Sequence, residues 1–271
     1  MSDVYLFGHP VAHSLSPAMH NAAFRSLGLP HRYSAIDVEP ERLASLVATL
    51  RHSDALGANV TIPHKETAAR MVDEQSEEVR ATGALNTIVR RGSRLVAANT
   101  DVDGFEAALV VDGRQLLGQG TVLVLGAGGA ARACVYALLR RGLEVLVANR
   151  SAERLDALVR SLEVHGRRAR VVPWPRAADP LRVDGVVNAT PLGMAGEDPL
   201  KGIRLPRVVV DIVPILTETP LVKRARAAEN VTVVDGLAML LQQAARSFEL
   251  WTDMPAPLEV MRAVLRSERP A

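Results

Sequence analysis

Short runs of aliphatic and β-branched residues alternate along the chain with longer stretches whose apolar positions recur every third or fourth residue, a pattern that predicts strand and helix in turn. "VYLFG" (4–8) opens the series as a strand. "SPAMHNAAFRSLG" (16–28) reads as a helix with Ser16 as N-cap, Pro17 at the first helical position and Gly28 as the stop. "RYSAIDV" (32–38) is a strand, "PERLASLVATLRH" (40–52) a helix and "GANVTI" (57–62) a strand that Pro63 ends. A helix through "EEVRATG" leads to two strands, "ALNTIVRR" and "RLVAANTD", joined by a turn at "GS". The rhythm resumes with a helix at "DVDGFEAALV" and runs through "TVLVLGAGGAARACVYALLRRGLEVLVANR" (121–150), "VDGVVNAT", "RVVVDIV" and "VTVVDG". Only the end differs: "LAMLLQQAARSFELW" (237–251) and "PLEVMRAVLR" (257–266) are successive helices, expected to pack back on the first part of the chain. The alternation predicts an α/β fold with parallel sheets.

Composition narrows the choice of function. With 271 residues, 48% of them hydrophobic, the chain can fill the core of one large domain or of two medium ones, and two are expected. Net charge is only +2 and aromatics are 3%, without a basic run, so nucleic acid is not an expected partner. The opening "MSDVYLFG" lacks a charged segment followed by an apolar one, and no apolar run approaches the roughly 18 residues of a membrane span, so a cytoplasmic protein with no membrane partner is expected. The one cysteine, Cys134, rules out an internal disulfide, gives no metal-ligand cluster, and reads as a small buried helix residue.

In "VLVLGAGGAARA" a strand runs directly into Gly126, Ala127, Gly128, Gly129, Ala130 and Ala131, and then into a helix. That is the setting of a dinucleotide fingerprint: glycines allow a tight turn and close approach of backbone to pyrophosphate, at a helix end with free N–H groups. The next strand, "EVLVA", ends in Asn149, Arg150 and Ser151, with Arg154 one turn later, in place of an acidic residue at the strand tip that would bond a ribose 2′-hydroxyl. Arginines there suit a 2′-phosphate, which favours NADP(H) over NAD(H) as cofactor; the alternative is two solvated arginines in an arginine-rich chain.

Hydride transfer needs a proton donor beside the carbon that changes oxidation state. Lys65, one of three lysines, follows a strand end in "NVTIPHKE", and Asp101 in "ANTD" is read as closing another strand. Neighbouring ends would let the carboxylate orient the ammonium; spacing alone equally allows a surface lysine and a helix-capping aspartate. An arginine could not exchange a proton near neutrality, whereas a lysine can.

Together "GHPVAHSLSPAMHNAAF", "GANVTIPHKE", "GALNTI", "NTDVDGF", "LGAGGAARA", "NRSAERL", "NATPLGM" and "DGLAMLLQQA" resemble the shikimate dehydrogenase family, in the family's order over nearly the whole chain. The resemblance implies a mixed substrate domain (1–101 and 238–271), an NADP-binding Rossmann-type domain (102–237), a cleft at their junction, and reversible NADP-dependent reduction of 3-dehydroshikimate to shikimate. It implies Lys65 and Asp101 as the catalytic pair, and Ser14 and Ser16 on the substrate carboxylate, although Ser16 could serve only as an N-cap. It implies Thr61 and Asn86 on the ring hydroxyls, with Asn59 close by, and Gln243 closing the pocket. Thr190 and Gly236 join the cofactor positions, and the resemblance leaves room for a homodimer. The pattern departs at "DIVPILTETPL" (211–221), where Pro214 replaces the family's tyrosine, and at Ala238, which replaces a common glycine. Pro214 keeps two alternatives open: a sister dehydrogenase acting on quinate or an amino analogue, and a cofactor-binding regulator without turnover.

Overall fold

The computed structural model describes residues 2–176 and 182–268. The chain forms two compact units, Met1–Asp103 with Gln243–Ala271 and, between them in sequence, Gly104–Gln242. The divisions fall at Asp103 and Gln243, inside two helices and slightly later than the sequence boundaries.

The first unit contains β1 (Asp3–Gly8), α1 (Ser16–Ser26), β2 (Arg32–Asp37), α2 (Leu43–Leu50), β3 (Gly57–Val60), α3 (Lys65–Ala68), β4 (Glu74–Gln75), α4 (Glu77–Thr82), β5 (Thr87–Arg91) and β6 (Arg94–Ala98), and then enters α5 (Thr100–Ala108). Its sheet runs β2-β1-β3-β5-β6-β4. It is mixed rather than parallel: β1 lies parallel to β2 and β3, whereas β5 is antiparallel to both β3 and β6. The cause is the tight "GS" turn, where Gly92 at φ 63° permits a hairpin that no crossover interrupts.

Several elements differ in detail from the sequence pattern. Ser16 is not the N-cap of α1: Leu15 holds that place without a side-chain cap, and the Ser16 N–H is taken by Ser14 Oγ at 3.3 Å. Gly28 does stop the helix, in the left-handed region at φ 64°. The expected helix at 40–52 starts as a single 3₁₀ turn, Pro40–Arg42, before α2. Asp101 does not close a strand, because β6 ends at Ala98 and Asp101 lies in the acidic first turn of α5, where the helix dipole favours carboxylates. Lys65 opens the one-turn helix α3.

The second unit continues through a small hairpin, β7 (Val110–Val111) and β8 (Arg114–Gln115), then β9 (Thr121–Leu125), α6 (Gly129–Arg140), β10 (Glu144–Ala148), α7 (Ala152–Val164), β11 (Arg170–Val171), β12 (Gly185–Asn188), β13 (Val208–Asp211), α8 (Pro220–Arg226) and β14 (Thr232–Asp235). The six strands of its main sheet are all parallel, in the order β11-β10-β9-β12-β13-β14. Cys134 is buried on α6 as expected. The chain ends in α9 (Gly236–Thr252) and α10 (Leu258–Ser267).

The last two helices close the first unit. Trp251 on α9 donates its indole N–H to the Ile88 carbonyl at 3.0 Å, over Gly57, where a Cβ would lie 2.0 Å from that same oxygen. Phe248 packs 5.2 Å from Phe24, and His20 stacks on Tyr33 at 4.4 Å with Trp251 edge-on at 5.4 Å. Both ring nitrogens of His20 are buried without a hydrogen-bond partner, and burial pushes its pKa down from 6.5 to about 3. Between those two values the unfolded chain takes a proton that the folded one refuses, so stability falls as pH drops. Urea unfolding between about pH 6 and pH 4 should show a His20 contribution lost at roughly 1.4 kcal/mol per pH unit. His20→Phe, which keeps the stacking, should flatten that slope; an unaltered slope would contradict the assignment.

Candidate active site

Strand direction gathers the candidate residues at one sheet edge. Because β3 and β6 are each antiparallel to β5 and β1 is parallel to β3, the C-terminal ends of β1, β3 and β6 share an edge with the start of β5. Ser14 and Ser16 follow β1, Thr61 and Lys65 follow β3, Asn86 precedes β5 and Asp101 follows β6. Lys65 Nζ donates to Asp101 Oδ2 at 2.5 Å, and the two side chains are only 13% and 6% exposed. Asp101 Oδ1 accepts from Asn86 Nδ2 at 3.0 Å. Both carboxylate oxygens therefore hold donors, and the ammonium is fixed at the sheet edge.

Partners of one-way polarity set both asparagine amides. Asn86 Oδ1 accepts the Thr100 N–H at 2.8 Å while its Nδ2 faces the Asp101 carboxylate, so the amide cannot flip without two mismatches. Asn59 Nδ2 donates to the Asn86 carbonyl at 2.9 Å, which leaves its Oδ1 to accept the Tyr33 hydroxyl at 2.8 Å. Burial of the Tyr33 phenol pushes its pKa up. Gln243 Oε1, from α9, accepts from Asn86 Nδ2 at 3.2 Å. Thr61 is half-buried, its methyl lying where a Cβ on Gly8 would sit only 2.3 Å away.

In the second unit, counting its own strands in sequence order from β9, and so taking β11 third, the sheet order is 3-2-1-4-5-6, with a switch point between β9 and β12. Gly126 lies just past β9 at φ 117°, where a Cβ would meet the Ala189 carbonyl at 2.8 Å. Gly128 caps α6, and a Cβ there would meet nothing within 4 Å, which leaves open the helix N-terminus that an anion would approach. Beyond β10, Asn149 Nδ2 bonds the Ser151 carbonyl at 3.1 Å and Ser151 Oγ caps α7 through the Arg154 N–H at 3.3 Å, with Arg150 and Arg154 exposed on that turn. Thr190, past β12, is held by Asn188 Oδ1, and Gly236, past β14, lies so close to the Val213 carbonyl that a Cβ would be 2.2 Å from it. These residues fit a dinucleotide at the strand ends.

Comparison with known proteins agrees with this geometry. Residues 6–88 match the sequence model of the shikimate dehydrogenase substrate binding domain, 109–189 that of shikimate / quinate 5-dehydrogenase, and 236–266 that of the shikimate 5'-dehydrogenase C-terminal domain. The shikimate dehydrogenase (NADP(+)) of Salinibacter ruber is 43% identical over 277 residues, spanning 98% of this chain and 97% of that protein. The chain belongs to the shikimate dehydrogenase family. Among solved family structures, the shikimate 5-dehydrogenase of Thermus thermophilus, in complex with NADP(H) and shikimate, is 38% identical with a TM-score of 0.82, covering 98% of this chain and 99% of that one. The quinate dehydrogenase of Corynebacterium glutamicum, in complex with NAD, is 30% identical with a TM-score of 0.85, over 98% and 99% of the two chains.

Against this family background, the structure joins Lys65, Asp101, Asn86, Gln243, Asn59 and Tyr33 in one hydrogen-bonded array. Asn59, which the resemblance sets beside the ring-hydroxyl contacts, is turned inward. Its two amide hydrogens already face three internal acceptors, the Asn86 carbonyl, Thr87 Oγ1 and Ser247 Oγ, so it braces the site from behind. Pro214 is exposed on the turn after β13, while the buried Asp211 beside it accepts from Asn188, Val213 and Thr219, and burial raises its pKa. Sequence reasoning missed Tyr33, Thr87, Thr100 and Ser247. For Ser247 a signal exists, since it lies four residues after Gln243 and so on the same helix face.

Proposed function

We propose that the protein is an NADP-dependent shikimate dehydrogenase that interconverts 3-dehydroshikimate and shikimate in aromatic amino-acid biosynthesis. The observation that carries this reading is the near-buried Lys65–Asp101 pair, bonded to Asn86 and through it to Gln243, in a chain similar over 98% of its length to a relative of that name. Bound NADPH supplies hydride to the ring carbon. The hydroxyls of Ser14 and Ser16, at the start of α1, hold the ring carboxylate. Thr61, Asn86 and Gln243 hold the ring hydroxyls, and the 3.2 Å bond between Asn86 and Gln243, the longest that Asn86 Nδ2 makes, is the one a ring hydroxyl would replace. Lys65 gives a proton to the ketone oxygen as the alcohol forms and takes it back in the reverse direction, while Asp101 fixes the position of Nζ.

The turn from Gly126 to Ala131 and the N-terminus of α6 take the pyrophosphate, with Thr190 and Gly236 lining the same strand-end edge. Arg150 and Arg154 take the 2′-phosphate on a turn shaped by Asn149 and Ser151. The reading also places the enzyme in the cytoplasm with a small-molecule substrate, without nucleic acid or membrane as partner, and admits a homodimer. Among the described residues no helix is long and apolar enough to cross a membrane. Pro214 favours a second reading, oxidation of quinate or an amino analogue, because a tyrosine hydroxyl is absent there.

Lys65→Met should lower kcat for shikimate oxidation by roughly 10²–10⁴ with KM little changed, as measured by initial rates; an unaltered kcat would remove Lys65 from the chemistry. Arg150→Asp should raise the Kd of NADP+ much more than that of NAD+ in a titration of each, because it sets a carboxylate against a phosphate. Equal losses for both would dismiss the 2′-phosphate contact.

A further inference from the structure

Behind the two asparagines lies a ring of three buried hydroxyls that no substrate role accounts for. Thr87 Oγ1 is 2.8 Å from Ser247 Oγ, Ser247 Oγ is 3.0 Å from Thr100 Oγ1, and the two threonines are 3.4 Å apart. Asn59 Nδ2 gives one hydrogen to the Asn86 carbonyl at 2.9 Å and turns the other toward the ring, 3.1 Å from both Thr87 Oγ1 and Ser247 Oγ. Thr87 Oγ1 and Thr100 Oγ1 also lie 3.0 and 3.1 Å from Asn86 Oδ1; each hydroxyl has one hydrogen, so when one threonine donates to that oxygen the other donates to Ser247 Oγ. The ring thus couples the orientation of one amide to that of the other. Thr87 and Thr100 belong to the sheet edge, whereas Ser247 arrives from α9, far along the chain.

Ser247 also touches the backbone of Gln243, donating to its carbonyl at 3.1 Å, four residues back on the same helix. Gln243 in turn reaches Asn86 with its side chain. The turn of α9 that carries Gln243 is therefore pinned to the sheet edge by a serine that is fully buried. We infer that Ser247 is a positioning residue for the substrate ring: through the hydroxyl ring it holds the Gln243 turn at the distance from Asn86 that the ring hydroxyls require. The inference rests on the proposed reading of this edge as the site of the shikimate ring. Ser247 itself touches neither ring nor cofactor in this account, and its effect passes through Gln243.

A double-mutant cycle tests this with the full chain, shikimate and NADP+, comparing wild type, Ser247→Ala, Gln243→Ala and the pair. Loss of the buried hydroxyl should raise KM for shikimate roughly tenfold, with kcat and the KM for NADP+ each within about twofold of wild type. In the Gln243→Ala background the same substitution should add less than about twofold, because the residue it acts through is gone. An equal rise in both backgrounds, or a fall in kcat with KM unchanged, would overturn the inference and leave the proposed function standing. Failure of the wild type to oxidise shikimate would overturn the function and the inference with it. Should Ser247→Ala lack a cooperative melting transition, Ser247→Cys, close in size and a weaker hydrogen-bonding group, carries the same cycle.

Discussion

Everything at the proposed substrate edge depends on the buried amide of Asn86. Its oxygen is claimed by the Thr100 backbone and its nitrogen by the Asp101 carboxylate, so it has one orientation. That orientation decides where Asp101 sits, and Asp101 decides where the Lys65 ammonium sits. The same nitrogen faces Gln243 on α9, so a residue 157 positions away in sequence meets the sheet edge at this side chain. An amide suits the task because it donates and accepts at fixed, adjacent points. A hydroxyl could rotate, and a carboxylate could not donate to Asp101.

The ion pair it supports is a poor device for stability. Both partners are largely removed from water, and the desolvation of two charges offsets most of their attraction, so an apolar pair of similar size would serve the fold as well or better. A lysine held this way is useful for a different reason. It presents an exchangeable proton at a defined point, which the chain's many arginines cannot do. The neighbouring hydroxyl ring and the Asn59 brace then read as the cost of holding that point still, since each buried polar atom there needs its own partner.

Much of this was legible in the residues. The strand and helix alternation, the Gly126–Ala131 turn and the position of Lys65 follow from local pattern, and Asn86 and Gln243 from the family resemblance. The antiparallel insertion of β5 was not, because an apolar run does not state its direction; only the short turn at Gly92 hinted at a hairpin. Asp101 looks like a strand end because "RLVAAN" runs straight into it, yet acidic side chains favour a helix start and the strand stops at Ala98. Tyr33, Thr87, Thr100 and Ser247 were invisible as site residues. Each looks like an ordinary core or strand position until the tertiary fold brings the four hydroxyls behind the asparagines.

The central claim is that this edge and the dinucleotide turn together serve shikimate and NADP(H) although Pro214 stands where a tyrosine is usual. Initial rates of the purified protein, read at the NADPH or NADH absorbance band with shikimate and quinate each paired with NADP+ and NAD+, test it most directly. The account predicts the highest kcat/KM for shikimate with NADP+. A higher value for quinate or for NAD+, or no turnover with any pairing, would contradict it.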